Sequence, residues 1–347
     1  MTASAATPLS CRRLAPAGSY LLLLAAGLLL LLLLSLASIT VGSRELSLAT
    51  VADAFFAFDP GRSEHLLLRH LRLPRALLAV VVGCALGMAG AVMQALTRNP
   101  LADPGLLGVN AGATLAIVAA IATWGITDMA DYMWFGLLGA SGAGAAVYLL
   151  GGVRSGLNPV RLVLAGAALS VVLLALTQII TVNSDDAIFD QFRHWAVGSL
   201  QGRSYEVLVP AAVLILVTLS CGLLLCRALD ALSLGEDVAQ ALGVSPRRLW
   251  CVCAAVVIVL SGVATAAVGP VSFLGLAAPH LARLWVGPEH RRLLPLSMLI
   301  AALLMVAADT LGRVVAHPDE VGVGIMVALI GGPFFIVLVR RWRLVQP

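Results

Sequence analysis

The sequence predicts an all-α integral membrane protein of about ten transmembrane helices, and three observations carry that prediction. Hydrophobic residues make up 60% of the chain and charged residues 12%, with a mean hydropathy of +1.00, outside the range of water-soluble globular domains. Apolar runs of roughly the 20 residues needed to cross a bilayer recur between short polar breaks. Small residues recur at four-residue spacing, as in Gly83, Gly87 and Ala91 or Gly136, Ala140 and Gly144, and let helix backbones approach closely in lipid. The organisation expected is a polar cytoplasmic segment over 1–18 followed by a single membrane domain over 19–347, with no room for a separate soluble enzyme domain.

The first span covers Tyr20 to Leu36, almost unbroken Leu and Ala after Arg12 and Arg13. A cleaved signal peptide shares that pattern, but the length of the run and the spans that follow favour a membrane helix. Further spans are predicted near 76–96, 105–124, 133–152, 160–182, 206–226, 248–268, 274–286, 294–312 and 324–339. The third and eighth are short or interrupted by Gly and Pro. An even number of spans puts both termini on one side, and a cytoplasmic placement leaves fourteen arginines inside and eight outside. Four of the eight, Arg62, Arg69, Arg72 and Arg75, crowd the stretch before the second span, where an acidic external partner would give them a role.

All 22 basic residues are arginine. Without lysine the chain holds neither a Walker A phosphate loop nor a Schiff-base centre, so any nucleotide must be bound by a partner. Its six cysteines form no CxxC and lie mostly in apolar runs, as small hydrophobes, and no disulfide or metal site is predicted. Ion-coupled transporters bury ionisable relays at mid-membrane. Here the span interiors offer little beyond Gln94 and Gln178, and Asp309 stands four residues before Arg313 at the spacing of a helix ion pair.

Four blocks are more specific. The first runs from Leu71-Arg72-Leu73-Pro74-Arg75 to Met93 and on through Asn99-Pro100 and Asp103-Pro104-Gly105 to Ala113. Its Asn-Pro and Asp-Pro-Gly steps stop one helix and cap the next in a tight re-entry. The second is Trp195-Ala196-Val197-Gly198-Ser199-Leu200, after Asp185, Asp186 and Asp190; a membrane-interface tryptophan would also explain it. The third, Leu232 to Val244, is too short and polar to span. Glu236 and Asp237 suit a first helical turn, Gly243 a left-handed exit, and Leu234, Val238 and Leu242 form a narrow apolar face that must dock on something. The fourth runs from Gly269-Pro270 through Pro279-His280 and Asp309-Thr310-Leu311-Gly312-Arg313 to Gly331-Gly332-Pro333; His280, beside Pro279 at an expected helix start, reads as a packing residue.

Together these blocks, which cover the chain from about residue 70 to its end, resemble the FecCD-type permease family of ATP-binding-cassette importers. The resemblance implies a type II importer permease bundle in the bacterial inner membrane, with both termini cytoplasmic. It implies a second permease subunit, identical or paralogous, two ATPase subunits that hold ATP and Mg, and an extracytoplasmic substrate-binding protein. No catalytic residue, cofactor or metal in this chain and no nucleic-acid partner is implied. By resemblance, Leu234, Gly235, Glu236, Asp237, Ala239, Leu242 and Gly243 belong to a helix near 232–243 that couples to the ATPase. Arg72, Arg75 and Arg313 match positions that pair with acidic knobs on the binding protein. Asn99, Pro100, Asp103, Pro104 and Gly105, with Trp195, Gly198 and Ser199, fall in the helix re-entry and gate region. The substrate implied is a ferric siderophore, with haem or cobalamin as the alternative, and an ion-coupled secondary transporter or a membrane scaffold as readings of another class. The chain departs from the family at Gly322, where proline is usual.

Overall fold

Backbone polar groups find no partners in lipid, so a chain this apolar must bond its own N–H and C=O groups within helices. The computed structural model describes residues 17–42, 46–126, 128–151, 159–185, 190, 192, 193 and 195–343. Residues 1–16 of the predicted N-terminal segment, with Arg12 and Arg13, and also Arg44, Arg154 and Asp186, lie outside the described residues. In chain order the helices are α1 (Ala17–Thr40), α2 (Leu48–Phe56), α3 (Ser63–Leu67), α4 (Leu73–Thr97), α5 (Val109–Trp124), α6 (Met129–Leu150) and α7 (Pro159–Val182). After these come α8 (Tyr205–Leu224), α9 (Cys226–Ser233), α10 (Glu236–Ala241), α11 (Pro246–Val268), α12 (Leu274–Val286), α13 (His290–Val315) and α14 (Val323–Arg343). Among the described residues, α1, α4, α6, α7, α8, α11 and α13 are long and apolar enough to cross a membrane. With α5, α12 and α14 they account for each of the predicted spans.

The differences from the sequence reading lie at helix ends. A π-helical turn over Leu68–Arg72 joins α3 to α4, so the second span is a continuous rod over Ser63–Thr97. The third begins as a 3-10 turn, Pro104–Leu107, and breaks at Gly108 (φ 71°) before α5. At 13 residues, or about 20 Å, α12 is too short for a hydrocarbon core of about 30 Å, and its entry over 269–273 is irregular backbone with Gly269 and Val271 buried and Ser272 exposed. Pro279 therefore lies inside α12, not at its start, while His280 packs edge-on against Phe334 with ring centroids 6.1 Å apart.

Buried residues of α4, α11, α12 and α13 form the centre of the bundle, and α1 and α7 turn most of their apolar surface outward. Small residues set the central spacing. Gly83 and Gly87 of α4 meet the backbone of α13 at Ala301, Ala302 and Ser297. Gly90 faces the Gly275 carbonyl of α12. Pro279 has no N–H, so that carbonyl lacks its usual donor four residues on, and it lies in the space a Cβ at residue 90 would fill.

Gly90→Val puts side-chain carbon into backbone. It is expected to destabilise the chain by at least about 3 kcal/mol, read as a lost monodisperse peak and a lower melting temperature in detergent, whereas Gly142→Ala, with open space around it, leaves both unchanged.

Candidate functional site

Two candidate sites lie at opposite ends of α4, whose 25 residues extend about 37 Å. At its C-terminal end Arg98 takes a left-handed conformation (φ 48°) and stops the helix. Its Nη2 donates to the Leu232 carbonyl of α9 at 3.3 Å. A second tie comes from Asp230, whose Oδ1 accepts the His290 backbone N–H at 2.9 Å and pairs with His290 Nδ1 at 2.6 Å, fixing α9 to the start of α13. From this anchored platform the chain turns at Gly235 (φ 118°), forms α10 with Glu236 and Asp237 in its first turn, and leaves at Gly243 (φ 81°).

Only one side of α10 rests on the bundle. Ala239 is fully buried, while Leu234, Val238 and Leu242 are 67%, 43% and 63% exposed. The apolar face predicted from their spacing is thus turned away from the chain's own core. Beside it an open hollow of about 1110 Å³ is lined by Arg227, Asp230, Leu234, Leu242, Trp285 and Glu289, among others.

At the other end of α4 the three predicted docking arginines come together, but as bonded and largely buried groups and not as exposed cations. Arg75 grips Asp309 with Nε and Nη2 (2.8–3.1 Å) and Glu320 with Nη1 (2.7 Å). Arg313 pairs with Asp309 at 3.0 Å, the helix ion pair expected from their spacing. It also donates to the Ser38 hydroxyl and to the Ser38 and Val41 carbonyls. Arg72 Nη1 donates to the carbonyls of Ile39 (2.8 Å) and Thr40 (3.0 Å). The last carbonyls of α1 have no donors within their own helix, and a positive group suits that end of the helix dipole. Arg72 and Arg313 thus cap α1. A hollow of about 280 Å³ beside them is lined by Arg72, Arg75, Arg313 and Glu320, among others.

Of the re-entry and gate residues, Pro104, Gly198 and the Trp195 carbonyl lie against the entry to α12. Asn99 Oδ1 accepts the Leu101 N–H at 3.0 Å and Asp103 Oδ1 the Gly105 N–H at 2.8 Å, the capping turns expected for Asn99-Pro100 and Asp103-Pro104-Gly105. Burial pushes the Asp103 carboxyl above its ordinary value, and the bond from Gly105 opposes the shift. Pro104 packs on Gly275, and Gly198 lies against the Pro270 carbonyl. Gly198 has φ 73° and accepts the Gly324 N–H at 3.1 Å, and the Ser199 N–H bonds the Val268 carbonyl at 2.7 Å. At Gly322, where the family usually has proline, the Gly198 carbonyl comes within 2.7 Å of where a Cβ would stand, so the backbone approach here is closer than a side chain allows. Trp195 is 2% exposed and packs near Phe192, so it belongs to the core and not to an interfacial belt.

Four participating residues had no sequence signal. Ser38 contributes mainly a carbonyl, Asp230 and His290 are 60 residues apart, and Arg203 is a lone cation. Arg203 is buried beside Tyr132 with Nε and Nη1 lacking a hydrogen-bond partner, and burial lowers its pKa.

A bundle of spanning helices with an apolar helix presented on one face and a bonded arginine cluster on the other defines a polytopic membrane permease. The chain belongs to the FecCD transport family, whose model matches residues 29–341. It is 42% identical over 307 residues to the probable siderophore transport system permease protein YfiZ of Bacillus subtilis strain 168, covering 88% of this chain and 91% of the relative. It is 44% identical over 305 residues to the ferric enterobactin transport system permease protein FepD of Escherichia coli strain K12, covering 88% and 90%. Its fold matches a solved inward-facing metal-chelate type ABC transporter with a TM-score of 0.82 and 31% identity, over 93% of this chain and all of that one.

Removing one member of a buried ion pair strands its partner, at a cost of about 3–5 kcal/mol. Asp309→Asn should therefore lower the melting temperature in detergent more than Glu64→Gln, whose Arg62 pair is solvent-exposed. Combining Arg75→Met with Asp309→Leu is expected to recover part of the loss, a coupling that a double-mutant thermal-melt cycle measures.

Proposed function

We propose that the chain is a permease subunit of an ATP-driven importer that carries ferric siderophores across the bacterial inner membrane. In this reading it forms half of a pore with a second permease subunit, a copy or a paralogue, above two ATPase subunits and below an extracytoplasmic binding protein. Both termini are then cytoplasmic, in line with the arginine bias of the connecting segments. ATP and Mg belong to the partner ATPases, since a lysine-free chain has no Walker A loop.

The observation that carries the proposal is α10, seated on the bundle by Ala239 with Leu234, Val238 and Leu242 facing out. Each such side chain gains about 1.5–3 kcal/mol on full burial, so this face favours a tightly docked neighbour. Asp230–His290 and Arg98–Leu232 tie α9 to α13 and α4, so force on α10 reaches two central spans. ATP binding closes the ATPase pair, α10 moves with it, and the bundle alternates its opening while the substrate stays chemically unchanged. The substrate class follows the relatives, which are named as siderophore and ferric enterobactin permeases. On the outer face, acidic side chains of the binding protein approach the hollow lined by Arg72, Arg75 and Arg313, whose guanidinium groups already bond within the chain, and meet its rim. Ion pairs at such a rim contribute about 0–1 kcal/mol each, so they set orientation and encounter rate.

Proteoliposomes holding this chain, its ATPase and the binding protein should take up radiolabelled ferric siderophore only with ATP. Glu236→Arg combined with Leu242→Asp, at the exposed start of α10 and just past its end, should cut uptake by at least about tenfold, equivalent to 1.4 kcal/mol or more at the docking step, with the melting temperature retained. Uptake driven by an ion gradient without the ATPase would overturn the mechanism, and uptake of haem or cobalamin in place of the siderophore would overturn the substrate.

A further inference from the structure

The nine-residue helix α2 lies outside the predicted spans and takes no part in the sites described above. Its surface divides into three sectors. Val51 and Ala54 are buried against Ile39, Leu68 and Ala76, at the junction of α1 with α3 and α4. Asp53 points to solvent near Arg62, at 3.8 Å. The third sector, Leu48, Ala52, Phe55 and Phe56, repeats at i, i+4, i+7 and i+8 and is exposed. Phe56 is 92% exposed and Leu48 74%. A side chain such as phenylalanine loses about 1.5–3 kcal/mol when left in water, so this sector needs a cover.

The depth of α2 identifies the cover. The 24 residues of α1 extend about 36 Å and therefore cross a hydrocarbon core of about 30 Å and end at the headgroup level. Seven residues separate Thr40 from Leu48, and α2 packs on α3 and the π-helical turn, whose Arg72 bonds the Ile39 and Thr40 carbonyls at the end of α1, so it is held at that level. The lipid-facing leucines of α1, ending with Leu36, lead up to it. The sector carries no charge, unlike the neighbouring arginine cluster that suits an acidic protein. Arg69 stands 4.6 Å over the Phe58 ring just beyond α2, an aromatic and a cation together as membrane interfaces favour.

We infer that α2 is an interfacial membrane anchor, with Leu48, Ala52, Phe55 and Phe56 seated at the acyl–headgroup boundary of the leaflet reached by the C-terminal end of α1. It holds the α1–α4 junction, and with it the carbonyls bonded by Arg72 and Arg313, at a fixed depth. The inference does not depend on what the pore carries.

The wild-type chain, reconstituted in phosphatidylethanolamine–phosphatidylglycerol vesicles, tests this with a carbene photoprobe dissolved in the acyl phase and mapping of modified residues by mass spectrometry. Leu48, Phe55 and Phe56 should be modified to a degree comparable with Leu32 and Leu33 of α1, and Asp53 at least several-fold less. A nitroxide attached to Phe56→Cys, in a background whose native cysteines are alanine, should report immersion of about 5–10 Å below the headgroup boundary. Absence of modification at all three residues, with the nitroxide open to an aqueous nickel quencher, would overturn the inference. So would modification that disappears when the substrate-binding protein is added, which would make the sector a protein-docking face.

Discussion

Helices surrounded by lipid gain nothing by excluding water from one another, so this bundle depends on how closely α4 approaches α12 and α13. The approach is set atom by atom. Gly83 and Gly87 admit the backbone of α13, and Gly90 admits a carbonyl of α12 that Pro279 has left without a helical donor. Dispersion between close-packed backbones replaces the hydrophobic drive of a soluble core. Because α4 touches both neighbours through atoms that cannot be compressed, the three spans act as one strut.

That strut is polar at both ends. At one, Arg75 holds Asp309 and Glu320, joining the start of α4 to the end of α13 and the loop beyond it. At the other, Arg98 and His290, on the same two helices, hold α9 and through it α10. Gln94, accepting from Arg283 at 3.2 Å, adds a link from α4 to α12 one turn before the C-terminal end of α4. The two candidate sites are therefore the two ends of a single rigid element, with no separate device needed to connect them. Peripheral α1 is held differently, by Tyr20, Leu23, Leu24 and Leu31 packed along α13 and by arginines at its C-terminal carbonyls.

Local backbone requirements were legible in the sequence. Asp103-Pro104-Gly105 and Asn99-Pro100 announce capping turns, and Gly243 announces the left-handed exit from α10, because these residue types have few other reasons to stand together. Periodicity identified the spans and also the outward face Leu234, Val238 and Leu242. Pairing across the fold was not legible. The side of the bundle on which Arg72 and Arg313 sit follows from span counting, but their partners are main-chain carbonyls, which carry no side-chain signature and lie up to 275 residues away. Local sequence could not distinguish a buried Trp195 from an interfacial one, since that depends on what packs over it. Pro279 suggested a helix boundary because prolines favour first turns, and α12 accepts it internally because Gly275 lets the freed carbonyl lean toward another glycine. The helix α2 was overlooked because nine residues make too short a window to separate an interfacial helix from a loop.

The outward leucines of α10 also bear on supply. A surface that is dry only when a neighbour covers it is a liability in any copy made in excess of that neighbour, because exposed apolar patches invite self-association and capture by quality-control proteases. Under the proposed assembly, the steady-state amount of the protein is then expected to track its scarcest companion rather than the strength of its own promoter.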